Sequence, residues 1–257
     1  MINLSQRLRC VAGQVSIGSI LADIGSDHAL LPVYLLQRGI IVSAVAGEIN
    51  LGPYLAAQKQ VKEAGLQTSI AVRQGDGLEV LAAGEANVIT IAGMGGQLIV
   101  HILSEGSSKL QDVKRLILQP NVGEEQVRRW LFEQGWFLIH EQIVEEDCKI
   151  YEIFTAERCD DPDTRNRELY RGRSFANGGF VSVNRMFAMG PYLLFDSNQE
   201  GIRILKRKWE DEIRKLEKIC ESLLLSTLNA SVIRLNQIQL EINEIKGVLQ
   251  CLPKDKP

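Results

Sequence analysis

The stretch Leu21-Ala22-Asp23-Ile24-Gly25-Ser26-Asp27-His28-Ala29-Leu30-Leu31-Pro32 constrains this chain more than any other. Ser19 to Ile24 is a short apolar run ending in a carboxylate and a glycine, and it reads as a buried strand. Pro32 to Arg38 reads as a helix. A strand, a glycine turn and a helix N-terminus together make a pocket of exposed backbone N–H groups. Glycine suits the turn because it has no Cβ to block a close ligand. The charge of the turn is unusual: Asp23, Asp27 and His28 crowd it, where a phosphate loop carries more glycine and a lysine. An anionic turn fits a cationic ligand better than a pyrophosphate.

The strand–helix alternation continues beyond that turn. Ile40 to Ala46 reads as a second strand leading into Gly47-Glu48, and Leu51 to Ala64 as a helix stopped by Gly65. A carboxylate at the end of a second strand is placed to bind a ribose diol, or else is a solvated loop acid. Ser69 to Arg73 is a third strand, followed by Gly75-Asp76-Gly77-Leu78, where Asp76 is placed to meet an exocyclic amine or simply to make a turn. Ala86 to Ile91 is a fourth strand running into Ala92-Gly93-Met94-Gly95-Gly96, with a helix over Gln97 to Leu103. That glycine loop is either a backbone that a ligand approaches closely or a flexible turn. Arg115 to Gln119 is a fifth strand ending at Pro120-Asn121, and Val122 to Gln134 a helix. Trp136 to Glu145 and Lys149 to Ala156 read as a closing antiparallel pair. The pattern predicts an α/β, doubly wound, Rossmann-like domain over residues 1–157. Ahead of it, Asn3 to Val15 reads as a helix with Leu4, Leu8, Val11 and Val15 on one face, and with Arg7 and Arg9 solvated.

Residues 158–257 read differently. Asp160 to Arg185 holds Arg165, Arg167, Arg171, Arg173 and Arg185 among Asn, Gly and Ser, the composition of a basic linker. From Gly201 two amphipathic runs, divided around Ser226 to Ser231, predict an antiparallel coiled-coil hairpin. Lys206-Arg207-Lys208 is either a phosphate contact or a solvated helix face. The formal net charge is −3, so bulk charge gives no argument for a nucleic acid and any such contact needs a local basic patch. The cysteines Cys10, Cys148, Cys159, Cys220 and Cys251 are odd in number and form no CxxC pair. That argues for reduced thiols in a cytoplasmic protein, with no disulfide framework and no metal site. No signal-peptide pattern is present, and the most apolar stretch, Val88 to Leu103, is broken by glycines, so no membrane span is expected.

A dinucleotide is disfavoured, because Asp27 and Leu30 stand where the second and third glycines of G-x-G-x-x-G belong. The order of acids and glycines after the strands matches class I methyltransferases instead. More closely, Asp23-Ile24-Gly25-Ser26-Asp27-His28-Ala29, Gly75-Asp76-Gly77-Leu78, Ile91-Ala92-Gly93-Met94-Gly95-Gly96, Leu118-Gln119-Pro120-Asn121 and Gly190-Pro191-Tyr192-Leu193-Leu194 resemble the bacterial tRNA adenine-22 N1-methyltransferase family (TrmK). Leu30 departs from that family's pattern, which has an aromatic there.

The resemblance implies S-adenosylmethionine as cofactor and tRNA as partner. It implies that Asp23, Gly25 and Asp27 form the cofactor turn, that Glu48 binds the ribose hydroxyls, that Asp76 and Gly77 hold the adenine, and that Gly93 and Met94 line the transfer site. Asp27, His28 and Asn121 are the candidate catalytic residues; a helix-capping His28 and a turn-making Asn121 are the plain alternatives. Arg165, Arg167, Arg171, Arg173, Lys206, Arg207 and Lys208 are the candidate RNA contacts. The oligomeric state is left open, with a monomer favoured. A non-catalytic RNA-binding protein on this fold, or a methyltransferase for another acceptor, are the rival readings.

Overall fold

A computed structural model of the chain describes residues 2–195, 198–224 and 229–253. They form two compact units that divide between Arg167 and Glu168, within a helix, beyond the division expected after residue 157.

The first unit is built on a sheet of β1 (Ser19–Ile24), β2 (Ile41–Glu48), β3 (Ile70–Gln74), β4 (Val88–Gly95), β5 (Arg115–Val122), β6 (Phe137–Glu146) and β7 (Lys149–Glu157). Their spatial order is β3-β2-β1-β4-β5-β7-β6. The first five are parallel, whereas β7 runs antiparallel to both β5 and β6. The helices are α1 (Gln6–Gly13), α2 (Leu30–Gln37), α3 (Leu51–Glu63), α4 (Gly96–Glu105), α5 (Glu124–Glu133) and α6 (Pro162–Tyr170), the last of which carries the division between units. The strands are apolar because parallel strands are covered on both faces. Leu21, Ile89, Ile91, Leu116, Ile117 and Leu118 are all fully buried. Strand order reverses between β1 and β4, and ligands of such sheets sit at the carboxyl ends of the strands where it does. Ile24, the last residue of β1, pairs with Gly47 of β2 on one side and with Ile91 of β4 on the other; β2 then ends at Glu48, while β4 runs on to Gly95.

Three expectations need correction here. The first helix starts at Gln6 and not Asn3, because the Ser5 hydroxyl caps it by accepting from the Leu8 N–H at 3.2 Å. The stretch Ala92–Gly96 is not a loop throughout: β4 continues to Gly95 with shifted register against β5, and α4 starts directly at Gly96. Residues 160–185 are not a linker but mostly folded, as α6, the two short strands β8 (Arg173–Ser174) and β9 (Phe180–Val181), and the start of α7 (Val183–Met189).

The second unit continues with α8 (Pro191–Leu194), α9 (Gln199–Leu224) and α10 (Asn229–Cys251). Lys206 Nζ bonds the Pro253 carbonyl at 2.7 Å and Lys246 Nζ reaches Glu217 at 2.9 Å, so α9 and α10 lie antiparallel, as the sequence pattern predicts. Ile202, Leu205, Trp209, Ile213 and Leu216 of α9 and Ile238, Ile242 and Ile245 of α10 are buried. Ile219 of α9 and Val232 of α10, which the three- and four-residue spacing of the two runs places on their apolar faces, are exposed instead. The expected turn lies partly outside the described residues, as does Leu228. Cys220 and Cys251 are free thiols. Among the described residues, no helix is long and apolar enough to cross a membrane.

Candidate active site

The turn after β1 holds a run of backbone that its residues resist. Gly25 has φ +68°, which costs a glycine nothing, but Asp27, His28 and Ala29 follow at +42°, +68° and +55°. Each L residue in the left-handed region costs about 1–2 kcal/mol, so the surroundings must hold the turn. The Asp27 N–H donates to Glu48 Oε1 at 2.5 Å. The Ser26 hydroxyl donates to Asp23 Oδ2 and the Thr90 hydroxyl to Asp23 Oδ1, both at 2.5 Å. Asp23 is thereby a buried brace between β1, the turn and β4.

Two carboxyls here are displaced in the same direction. Burial pushes the Asp23 carboxyl up, the hydroxyls of Ser26 and Thr90 pull it back, and the Asp27 charge raises it again. Burial also pushes Glu48 up; the Asp27 N–H opposes this, while the Asp27 and Asp23 carboxylates add to it. The carboxyls of Asp23, Asp27 and Glu48 thus act on one another at this turn, with His28 offsetting part of their charge on Glu48. Asp27 itself points out, its side chain 83% exposed, with its Oδ1 3.5 Å from His28 Nε2.

The other expected cofactor residues gather around this turn. A Cβ placed on Gly25 would fall 2.1 Å from Met94 Cε, so the first turn and the glycine stretch are in direct contact. The Gly75 N–H donates to the Glu48 carbonyl at 3.0 Å, which carries the Asp76–Gly77 turn to the end of β2. A cavity of about 280 Å³ is lined there by Asp76, Gly77, His101, Ile102 and Lys109. A wider one of about 640 Å³ is lined by Gly95, Gly96, Leu98, His101 and Val122. Asn121 Nδ2 donates to the Gly93 carbonyl at 2.7 Å, which brings the end of β5 to the glycine stretch.

Sequence reasoning missed several residues. Arg7 is not solvated: Nη1 donates to Gln119 Oε1 at 2.5 Å, and the guanidinium lies 5.5 Å from the Tyr151 ring centroid. Gln119 is completely buried beneath Gly93. The one signal in the sequence was a lone amide closing an otherwise apolar strand. His101 lines both cavities and had no motif around it.

The candidate RNA contacts are spread over both units and many have partners within them. In the first unit Arg165 stacks on Phe137 at 3.9 Å and Arg167 is an exposed neighbour of Asp163. In the second unit Arg171 pairs with Glu168, and Arg173 donates to the carbonyls of Glu168 and Leu169. Lys206, Arg207 and Lys208 are half-buried and each has interactions within the chain.

Comparison with known proteins gives a consistent answer. A family model described as TrmK, tRNA (adenine(22)-N(1))-methyltransferase, matches residues 21–247. The chain is 43% identical over 222 residues to the tRNA (adenine(22)-N(1))-methyltransferase of Bacillus subtilis (strain 168), covering 86% of each chain. The crystal structure of Bacillus subtilis TrmK superposes with a TM-score of 0.85 at 39% identity, covering 97% of this chain and 100% of that one. Streptococcus pneumoniae Sp1610, solved in complex with S-adenosyl-L-methionine, gives 0.77 at 38% identity, covering 96% and 100%. TrmK of M. capricolum, solved with S-adenosyl-homocysteine, gives 0.75 at 26% identity, covering 97% and 99%. The charged turn and these likenesses agree, and the chain belongs to the TrmK family of tRNA (adenine(22)-N(1))-methyltransferases.

Proposed function

We propose that this chain transfers the methyl group of S-adenosylmethionine to N1 of adenine 22 in tRNA, forming N1-methyladenosine. The observation that carries the reading is the anionic turn, where Asp23, Asp27 and Glu48 meet at the ends of β1 and β2 in a chain of this family. The residues present fit the cofactor: a close-packed glycine at position 25, a buried carboxylate at 48 and an excess of negative charge suit a ligand with a diol and positive groups. When bound, S-adenosylmethionine supplies an electrophilic methyl group on a sulfonium.

The protein's part follows from the acceptor. Adenine N1 carries a free lone pair at neutral pH, so no base is needed before attack, and alignment supplies much of the acceleration. With the cofactor bound, Glu48 would hold the ribose hydroxyls, and Asp76 with Gly77 would hold the adenine ring. Gly93 and Met94 line the methyl-transfer site, and Asn121 hydrogen-bonds the edge of the acceptor adenine. Asp27, exposed at the turn, stabilises the positive charge that develops on the base. His28, beside it, orients the base or takes a proton from the N6 amine after transfer. N1 lies on the Watson–Crick edge, so a paired target has to be opened before it can react.

The basic residues at 165, 167, 171, 173 and 206–208 grip the tRNA backbone. Replacing Lys206, Arg207 and Lys208 with Ala is expected to lower tRNA affinity and flatten its dependence on salt, the slope falling by about 1 for each phosphate no longer neutralised. Filter binding at several salt concentrations reads both. An unchanged slope removes that cluster from the interface. The reaction itself is tested by incubating unmodified tRNA with labelled S-adenosylmethionine and identifying the nucleoside by mass spectrometry. N1-methyladenosine is expected; N6-methyladenosine or no transfer contradicts the reading.

A further inference from the structure

Gly93 is held on both sides of its residue. Its N–H donates to Gln119 Oε1 at 3.1 Å, and its carbonyl accepts from Asn121 Nδ2 at 2.7 Å. Gln119 Oε1 also accepts from Arg7 Nη1 at 2.5 Å. On its other end, Gln119 Nε2 donates to the Pro120 carbonyl at 2.8 Å and to Asn121 Oδ1 at 3.2 Å.

This set of bonds works for one orientation of the Gln119 amide. With its oxygen and nitrogen exchanged, an NH2 would face two donors and an oxygen would face two acceptors, all at a completely buried position. Arg7 reinforces that orientation together with the Gly93 N–H and the Pro120 carbonyl, because a guanidinium, like a backbone N–H, can only donate. The polarity passes onward: Gln119 Nε2 faces Asn121 Oδ1, which turns Asn121 Nδ2 toward Gly93. Arg7 is fixed in turn by α1, whose first N–H groups, from Gln6 and Arg7, donate to the Glu146 carboxylate at 2.5 and 3.3 Å. The clamp matters because Gly93 sits exposed at φ +81°, followed by two more glycines within three residues, where the backbone would otherwise be free to reorient.

We propose that Gln119 is a positioning residue, oriented by Arg7, that clamps the Gly93 peptide and the Asn121 amide in the arrangement that receives the acceptor base. This rests on the reading that Gly93 and Asn121 line the transfer site. Neither Arg7 nor Gln119 need touch the tRNA or the cofactor.

The test uses the full chain with Gln119→Met, Arg7→Met, Arg7→Lys and the double variant Arg7→Met/Gln119→Met. Each single Met variant is expected to lower kcat about 10-fold or more, with KM for tRNA and calorimetric affinity for S-adenosylhomocysteine held within about twofold. Arg7→Lys, which keeps a donor, recovers part of the loss. The double variant is no more than about twofold worse than Gln119→Met, because Arg7 acts through Gln119. The salt dependence of tRNA binding stays unchanged in Arg7→Met; a slope reduced by about 1 would instead place Arg7 on a phosphate and overturn the proposal. Losses that multiply in the double variant also overturn it. Hydrogen exchange of the peptide spanning Ala92–Gly96 reads the clamp without any turnover. Faster exchange in both single Met variants supports it, and exchange equal to the native rate overturns it whether or not the enzyme is active. Absence of N1-methyladenosine with the native chain would count against the reaction and not against the clamp.

Discussion

Glu48→Ala is expected to lower the affinity for S-adenosylmethionine about 10- to 100-fold while leaving the fold intact. The residue has two tasks at one position: its carboxylate holds the Asp27 N–H in a turn that is strained without it, and it is the acid placed for the ribose hydroxyls. Hydrogen bonds to a charged group contribute about 1.5–3 kcal/mol each, which corresponds to that range in Kd. Titration calorimetry measures it, with circular dichroism as the control. An affinity within about twofold of native would remove Glu48 from the cofactor site.

The same carboxylates give the site a pH signature. Burial raises both Asp23 and Glu48 above the ordinary carboxylate range. A raised folded-state value means that the native protein holds protons which the unfolded chain has released. Their contribution to stability without ligand therefore falls as pH rises from the ordinary carboxylate value through the raised one. Cofactor binding runs the other way. Protonation at low pH removes the negative charge that attracts a sulfonium, so the preference for S-adenosylmethionine over S-adenosylhomocysteine, which lacks the sulfonium charge, narrows as pH is lowered through the raised values. A preference that widens toward acid pH contradicts the electrostatic account of the turn.

The second large effect lies away from the site. Arg128→Ala is expected to destabilise the first unit by about 3–5 kcal/mol, read from the urea midpoint. Arg128 on α5 donates from Nε to Glu141 of β6 at 2.6 Å and from Nη2 to Glu152 of β7 at 2.5 Å, with all three side chains fully buried. The guanidinium also lies 4.7 Å from the Phe154 ring centroid. Removing the arginine leaves two carboxylates buried without their cation. Replacing all three with Met, Leu and Leu is expected to cost much less than the single change, since an apolar cluster carries no desolvation penalty. A single-variant loss below about 1 kcal/mol would show that water reaches the cluster.

What could be read from the sequence follows the range of the interactions involved. β1 was legible to the residue, because an apolar run closed by Asp-Ile-Gly is a local pattern. The strand–helix alternation and the pairing of β6 with β7 were legible for the same reason. The insertion of β7 between β5 and β6 was not, since nothing in either strand's own pattern names its second neighbour. Arg7 looked solvated because its partner, Gln119, lies 112 residues away. Arg128 sits in Glu-Glu-Gln-Val-Arg-Arg-Trp, which reads as a charged face until the two strand glutamates are placed beneath it. The arginines of residues 160–185 read as a basic linker or loop by composition. In the second unit two of them also brace the fold, Arg173 on backbone carbonyls and Arg185 bridging to Glu241 and Glu244 of α10. The cofactor turn stood out because charge in a tight glycine turn is a local feature. The clamp beneath Gly93 did not, because it joins α1, β4 and β5 only in the folded chain.

The central claim, methyl transfer to N1 of adenine 22, is tested most directly with two unmodified tRNA transcripts that differ only at nucleotide 22. One carries adenine and the other guanine, and each is incubated with the native chain and labelled S-adenosylmethionine. One methyl group is expected on the adenine transcript, recovered as N1-methyladenosine in the fragment containing position 22, and none on the guanine transcript. Equal labelling of both, or a modified nucleoside elsewhere in the tRNA, would contradict it.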